Sequence, residues 1–231
     1  MRRLILACLL AAAPALVAAS EGAALPGFKT DLTNRAALQR GARTFVNYCV
    51  SCHSAEFMRY ARVAQDLGLT PEQVQANMVF DGGDVNQVMD VALGKKDGAK
   101  WFGQAPPDLT LAARSRGADW LYGYLRSFHL DPARPFGVNN TVFPNTAMPH
   151  VLASLQGTQE LHDGHLKQVA KGDLEPAQYD ALVRDLVNFM VYMGEPAKLV
   201  RYSLGIKVML FLLVFAGLAY MVKREYWRDV H

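Results

Sequence analysis

The stretch Cys49-Val50-Ser51-Cys52-His53 constrains this chain more than any other. Two cysteines separated by two residues and followed at once by histidine form the attachment pattern of a c-type haem. On one helical face, each thiol can add to one vinyl group of the porphyrin. The adjacent imidazole can then ligate the iron. The motif therefore predicts one covalently bound haem c, attached through Cys49 and Cys52, with His53 as an axial ligand.

Two other chemistries use closely spaced cysteines. A zinc site needs about four Cys or His ligands, usually as two close pairs. The remaining cysteine, Cys8, lies in a segment that we expect to be removed. A thioredoxin-like redox pair follows a strand in a βαβ unit, whereas the residues from Asn34 to Tyr48 have the pattern of a helix. Covalent haem is therefore the favoured interpretation.

The N-terminus has the pattern of a secretory signal peptide. A charged start, Met1-Arg2-Arg3, precedes an apolar run from Leu4 to Ala19 that ends in small residues. A membrane anchor is the alternative, but the run is shorter than the about 20 residues that a span requires. We therefore expect residues 1–20 to be a signal peptide. Export agrees with the haem motif, because bacteria attach c-type haem outside the cytoplasm.

The C-terminus has the pattern of a membrane anchor. No charged residue occurs from Val208 to Val222, and the basic residues Lys223, Arg224 and Arg228 follow. Extended back across Lys207 to Leu204, this segment has 19 residues, which is enough to cross a hydrocarbon core of about 30 Å, and basic residues mark the cytoplasmic side. A buried soluble helix is the alternative, which the flanking residues disfavour. We expect 21–200 to be a periplasmic c-type haem domain and 201–231 a transmembrane anchor with a short cytoplasmic tail, in a bacterial inner membrane.

Charge is unevenly distributed along the chain. The net charge is +3, but residues 21–200 carry 17 basic and 19 acidic side chains. A nucleic-acid-binding domain would carry a basic stripe. The composition therefore predicts no nucleic-acid partner for the central domain.

Apolar spacing and capping residues predict four helices in the central domain: 34–48, 70–78, 118–128 and 176–193. Gly41 on the first helix indicates a close helix crossing, because glycine there costs about 1 kcal/mol relative to alanine. Residues 94–108, rich in glycine and proline, are expected to be a loop, and the prolines of 131–149 exclude regular helix there. Residues 150–172 are expected to form a short hairpin or excursion.

The second axial ligand is expected to be Met148. It lies between Pro144 and Pro149, in a stretch that prolines bar from regular helix and that can therefore wrap the far face of a haem. A methionine sulfur opposite histidine gives a closed, high-potential iron. Met58 is close to His53 in sequence and would leave on the same side of the ring. The other methionines have apolar helical patterns typical of a core, and four histidines also compete: Met78, Met89, Met190, Met193, His129, His150, His162 and His165.

Arg114 is a candidate for pairing with a haem propionate. It follows the segment Pro106-Pro107-Asp108-Leu109. A guanidinium can bind a carboxylate through two parallel hydrogen bonds. An exposed surface arginine is an equally good interpretation of this pattern, so both remain open.

Together these motifs resemble the cytochrome c1 family, the haem subunits of cytochrome bc1 complexes, in their bacterial form. The resemblance covers about residues 25–228 and includes the haem motif, the Pro106–Leu109 segment with Arg114, the Met148 loop and the C-terminal anchor. It implies a mainly α, class I cytochrome c-like haem domain with insertions plus one C-terminal transmembrane helix. His53 and Met148 would be the axial ligands, Arg114 would lie near a propionate, and Phe45 and Tyr192 would meet where the first and last helices cross.

The resemblance also implies a function. The domain would accept one electron from a Rieske iron–sulfur protein and pass it to a cytochrome c, beside cytochrome b in a dimeric, lipid-embedded quinol:cytochrome c reductase, without bond chemistry of its own. Acidic stretches that some relatives use to dock basic cytochrome c are thin here, with only Asp81, Asp84 and Asp90 scattered along one region. Three alternatives remain: a tethered cytochrome that feeds a terminal oxidase, a haem peroxidase or gas sensor, and a structural subunit.

Overall fold

The chain forms a mainly helical domain followed by one long helix, so the predicted mainly α fold class is confirmed. The structure, a computed structural model, describes residue 25 and residues 27–91 and 93–229. The signal peptide predicted for residues 1–20 lies outside these residues. The helices that it describes are α1 (Arg35–Tyr48), α2 (Tyr60–Leu67), α3 (Pro71–Met78), α4 (Lys95–Phe102), α5 (Ala112–Ser115), α6 (Ala118–Arg126), α7 (Ala153–Gln156), α8 (Pro176–Gly194) and α9 (Lys198–Tyr226).

Three small antiparallel pairs of strands complete the described part of the fold. These strands are β1 (Ala55–Arg59), β2 (Val88–Met89), β3 (Phe128–Leu130), β4 (Val138–Asn140), β5 (Gly157–His162) and β6 (His165–Lys171). They pair as β1 with β2, β3 with β4 and β5 with β6. The last pair is the hairpin expected within 150–172, with His162 opposite His165 next to the turn.

The crossing of α1 and α8 is the centre of the core. A Cβ atom on Gly41 would collide with the backbone carbonyl of Asp185 and would lie 2.7 Å from the Cβ of Phe189. The predicted close crossing at Gly41 is therefore confirmed. Phe45 packs against Phe189 with ring centroids 5.7 Å apart, and Phe189 packs against Tyr192 at 5.8 Å. Phe189 therefore contacts both Phe45 and Tyr192, the two residues that the resemblance predicts to meet at this crossing.

Local capping explains where the predicted helices begin. The side chain of Asn34 accepts a hydrogen bond of 3.1 Å from the Ala37 amide at the start of α1. At α3, Thr70 and Gln73 cap each other's backbone amides at 3.2 and 2.9 Å, with Pro71 in the first helical position. Both patterns satisfy amides that a helix leaves without partners at its first turn.

Two expectations about local structure were wrong. Residues 94–108 are not all loop, since α4 occupies Lys95–Phe102. Gly98, which weakens helix propensity, is buried because α4 packs against Pro106 there, and a Cβ would lie 2.7 Å from the Pro106 ring. Tertiary packing thus overrides the local signal. Met89, assigned to an apolar helical pattern, instead lies in β2, where it is fully buried.

Helix α9 is long and apolar enough to cross a membrane. It runs for 29 residues from Lys198 to Tyr226 with a mean hydropathy of 2.2 over its most apolar stretch, and its residues are not buried against the haem-motif domain. Its exposed aliphatic and aromatic side chains therefore face the surroundings along most of its length. This is what a lipid-facing helix requires.

Candidate haem site

The haem motif opens into a cavity of about 550 Å³ between α1, α6, α8 and the Met148 loop. Cys49, Cys52, His53 and Met148 all line this cavity, although the last lies ninety-five positions from the histidine. A volume of this size suits a cofactor, since ligand cavities commonly range over about 300–1,000 Å³. The two cysteines predicted to attach haem and the two predicted axial ligands therefore lie around one cavity. These residues fit haem c.

His53 is oriented by the backbone of the segment that follows α4. Its Nδ1 lies 2.8 Å from the carbonyl oxygen of Pro107. Because that carbonyl only accepts, Nδ1 carries the proton and Nε2 keeps its lone pair for a metal. Burial lowers the pKa of His53, although the Pro107 contact and the charge of Asp108 oppose this. A neutral imidazole with a free Nε2 is the form that ligates iron.

Asp108 ties the haem motif to the Pro106–Thr110 segment. Its Oδ2 accepts hydrogen bonds of 2.8 Å from Ser54 Oγ and from the Glu56 amide, and its Oδ1 accepts one of 2.9 Å from the Thr110 amide. Burial alone would raise the pKa of Asp108, but these hydrogen bonds outweigh it and the pKa is lowered. The ionised carboxylate therefore fixes Pro107 against the residues that follow His53.

A closed ring of hydrogen bonds holds Met148. The Tyr124 hydroxyl lies 3.4 Å from Met148 Sδ and 2.8 Å from Thr146 Oγ1, and the Met148 amide donates to Thr146 Oγ1 at 3.3 Å. A thioether sulfur only accepts, so Tyr124 must donate to it and Thr146 must donate to Tyr124. Burial raises the pKa of Tyr124, which keeps the phenol protonated. The sulfur thus has a fixed position and a fixed donor.

Asn140 shapes the loop that carries Met148. Asn140 is 1% exposed, and its Oδ1 accepts from Ser127 Oγ at 2.9 Å and from the amides of Val142 and Phe143 at 2.9 and 3.1 Å. Its Nδ2 donates to the Tyr124 carbonyl at 2.8 Å. Asn140 therefore connects the loop to the helix that presents Tyr124.

Most of the other candidates for the second axial ligand do not line the cavity. Of the methionines considered, only Met148 and Met190 line the cavity among the residues that the structure describes. Met190 is 3% exposed and lies inside α8, in the packed core. None of the four competing histidines is part of the described lining. His150 instead stacks on Phe128 at 4.7 Å, and burial lowers its pKa to about 4.

Arg114 and Arg116 occupy different places around the cavity. Arg114 is exposed on α5, where its side chain lies beside Gly194, and it is not among the lining residues described. Arg116 lines the cavity, with its guanidinium 5.0 Å from the Trp120 ring and 5.6 Å from the Phe143 ring. Sequence reasoning did not single out Arg116, although it lies only two positions further along.

Sequence reasoning also missed Tyr124 and Thr146 as members of the site. Helical spacing places Tyr124 on the same side of α6 as Trp120, and their rings stack at 4.9 Å. The hydroxyl that reaches Met148 depends on a contact between residues 24 positions apart. Helical periodicity carries no signal for such a contact.

The sequence matches a known protein family over most of its length. Residues 29–230 match the Cytochrome C1 family. The chain belongs to the cytochrome c1 family. Membership implies haem c as the cofactor and supports a role in electron transfer.

Individual relatives agree with the family match. The chain is 47% identical to "Cytochrome c1" of Allochromatium vinosum over 244 aligned residues, which cover all of both chains. It is also 47% identical to a Nitrosomonas europaea protein named "Ammonia monooxygenase gamma subunit", covering 87% of this chain and 86% of that protein. A chain of a "Hyperthermophilic respiratory Complex III" shares 18% identity with a TM-score of 0.44, covering 88% of this chain and 80% of that chain. That structure is too distant to add to the family assignment.

Proposed function

We propose that this protein is a membrane-anchored cytochrome that relays single electrons in a quinol:cytochrome c reductase. It would take each electron from a Rieske iron–sulfur protein and pass it to a cytochrome c. The observation that carries the proposal is the cavity that Cys49, Cys52, His53 and Met148 line together in a chain of the cytochrome c1 family. A cofactor enclosed by two protein ligands suits electron transfer, because little has to rearrange when its charge changes.

The ligand side chains have separate roles in this proposal. Cys49 and Cys52 would form thioethers to one haem c, whose iron supplies the one-electron Fe(III)/Fe(II) couple when bound. His53 would ligate through Nε2, because its Nδ1 is engaged by Pro107. Met148 would ligate from the opposite side through the sulfur that Tyr124 contacts. Burial raises the pKa of the free Cys49 thiol to about 12, so this thiol is protonated in the folded chain at neutral pH.

Arg114 is proposed to bind a haem propionate. It is exposed and near the cavity without lining it, which leaves its guanidinium free to turn towards a carboxylate. It makes no ion pair with a described residue. A long arginine side chain can reach such a group while its stem stays on α5.

The proposed placement in the cell follows the charge pattern. Residues 1–20 would be removed after export, 21–200 would form the periplasmic haem domain, and 201–231 would anchor it with the C-terminus in the cytoplasm. The length and composition of α9 support the anchor. Lys223, Arg224 and Arg228 after its apolar stretch support the orientation. Cytochrome b and the Rieske protein would be its partners in a dimeric complex.

Purification in mild detergent tests this function. The full chain, expressed in a host that attaches c-type haem, should give a haem-staining band that survives denaturing electrophoresis and should co-purify with cytochrome b and Rieske subunits. The Cys49→Ala/Cys52→Ala variant is the control and should lose the stained band. Co-purification with copper-containing oxidase subunits would replace this proposal with a cytochrome that feeds a terminal oxidase.

A further inference from the structure

Basic side chains outnumber acidic ones in the segment that forms part of the cavity wall. Residues 95–116 contain five basic and two acidic side chains. Lys95, Lys96 and Lys100 are exposed on α4, and Arg116 is exposed at the cavity itself. We call these four residues the basic rim.

Helix α4 is part of the cavity wall. Phe102, at its C-terminal end, lines the cavity and packs against Phe136 with ring centroids 5.7 Å apart. Gly98 packs against Pro106, which also lines the cavity. The helical periodicity therefore places Lys96 and Lys100 on the solvent-facing side of α4, opposite Gly98.

Asp97 is the one acidic residue on α4, beside three lysines, and no ion pair is made by the basic rim with a described residue. No residue of the rim has a carboxylate oxygen within 4.0 Å among the residues that the structure describes. Asp108 is the only acidic residue of the described lining, and its oxygens already accept from Ser54, Glu56 and Thr110. Even if Arg116 paired with a propionate, the three lysines of α4 would remain free.

Exposed apolar side chains accompany these charges on α4 and at the cavity. Trp101 is 63% exposed on α4, Leu111 is 46% exposed and Phe143 is 37% exposed. The last two also line the cavity. An apolar centre with charged residues around it is the usual anatomy of a transient protein interface, in which the charges steer the encounter.

We propose that the basic rim docks a soluble electron-acceptor protein whose contact face is acidic. This inference rests on the proposed function and adds the charge of the partner. In the step that follows docking, one electron leaves the reduced domain and enters the oxidised acceptor, so the domain is oxidised by one electron and the acceptor is reduced by one. No bond forms or breaks. Acidic residues such as Asp81, Asp84 and Asp90 are scattered in this chain and form no acidic stretch that would attract a basic partner.

Two forms of one acceptor protein, with opposite surface charge, test whether the preferred partner has an acidic contact face. A basic soluble cytochrome c is used before and after succinylation, which turns its positive lysines into negative groups, with each form's midpoint potential measured. Stopped-flow reduction of each form by the purified, reduced complex is followed from low to about 0.2 M ionic strength, where the screening length falls to below about 10 Å. The succinylated form should react faster at low salt and slow down several-fold as salt rises.

Variants that remove lysines of the basic rim test whether this surface causes the preference for the succinylated acceptor. Lys95→Gln/Lys96→Gln/Lys100→Gln should slow reduction of the succinylated form several-fold at low salt and flatten its salt dependence. The control Lys29→Gln/Lys167→Gln/Lys171→Gln removes three exposed lysines outside the cavity and should leave both unchanged.

The outcomes separate the two proposals. Faster reduction of the unmodified, basic form at low salt, with the opposite salt slope, would overturn the acidic partner while the relay function stands. Failure to reduce either form, although quinol reduces the cytochrome, would overturn the relay to a soluble acceptor. A lysine effect that occurs only in vesicles with anionic lipid and vanishes in neutral detergent would assign the basic rim to the membrane surface and overturn the docking proposal.

Discussion

The hydroxyl of Tyr124 lies 3.4 Å from the sulfur of Met148, and Thr146 completes a ring of hydrogen bonds with both. Since the sulfur cannot donate, the direction of every hydrogen bond in the ring is fixed. Tyr124 therefore withdraws electron density from the atom proposed to ligate the iron. This contact links helix α6 to the chemistry of the site.

Replacing Tyr124 with phenylalanine should lower the midpoint potential. Without the donor, the sulfur is a better electron donor and favours Fe(III). A neutral hydrogen bond contributes about 0.5–1.5 kcal/mol, which corresponds to roughly 20–60 mV for one electron. Redox titration of Tyr124→Phe measures the shift. Tyr179→Phe is the control, because its buried hydroxyl donates to the Leu125 carbonyl and does not contact Met148. Equal potentials for the wild type and Tyr124→Phe would contradict the proposed role.

Replacing Asn140 with alanine should loosen the Met148 loop. The change removes the acceptor for Ser127 and for the amides of Val142 and Phe143. Each buried group left without a partner costs about 1–3 kcal/mol. We expect Asn140→Ala to bind carbon monoxide in the reduced state, as measured by absorption spectroscopy. The exposed Asn47→Ala is the matched control, and retained six-coordination in Asn140→Ala would show that the loop holds its shape without this residue.

Replacing Gly41 with alanine should destabilise the domain. The added methyl group meets the Asp185 backbone and the Phe189 side chain, and backbone cannot move aside cheaply. Overpacking of this kind costs about 1–3 kcal/mol or more. Chemical denaturation followed by circular dichroism should show a lower midpoint for Gly41→Ala. Gly27→Ala, where nothing lies within 4 Å of the new atom, should unfold like the wild type. An unchanged midpoint for Gly41→Ala would mean that α1 and α8 cross less closely.

Asp108 should make the fold sensitive to acid. Its pKa is lowered in the folded protein, so its contribution to stability is complete above the unfolded-state pKa near 4. That contribution is lost as the pH falls through the lower folded-state value. Between pH 6 and pH 2, Asp108→Asn should therefore lose less stability than the wild type, measured by denaturation at each pH. Asp97→Asn, at an exposed site without such contacts, should retain the full acid sensitivity. Parallel curves for Asp108→Asn and the wild type would contradict this.

The sequence could predict the parts of this fold that depend on local signals. The close crossing at Gly41, the capped start at Thr70 and the hairpin within 150–172 all follow from patterns of neighbouring residues, and the structure confirms them. Helix α4 was missed because Gly98 weakens local propensity, while the compensating contact with Pro106 is tertiary.

The sequence could predict which of its motif residues meet at one site. The spacing of Cys49, Cys52 and His53 and the prolines around Met148 single out these residues, and all four line one cavity. The hydrogen bonds that Tyr124 donates to Met148 and that Asn140 donates to the Tyr124 carbonyl join residues on different elements. No sequence period records such contacts, so these residues could be found only once the fold was known.

The nature of the sixth ligand tests the central claim most directly. The full-length reduced protein is titrated with carbon monoxide in mild detergent beside the Met148→Ala variant, and the sulfur-to-iron charge-transfer band of each oxidised form is recorded. We predict that the wild type shows the band and does not bind carbon monoxide, whereas Met148→Ala lacks the band and binds the gas. Ready binding by the wild type, or an unchanged spectrum in Met148→Ala, would contradict ligation by His53 and Met148.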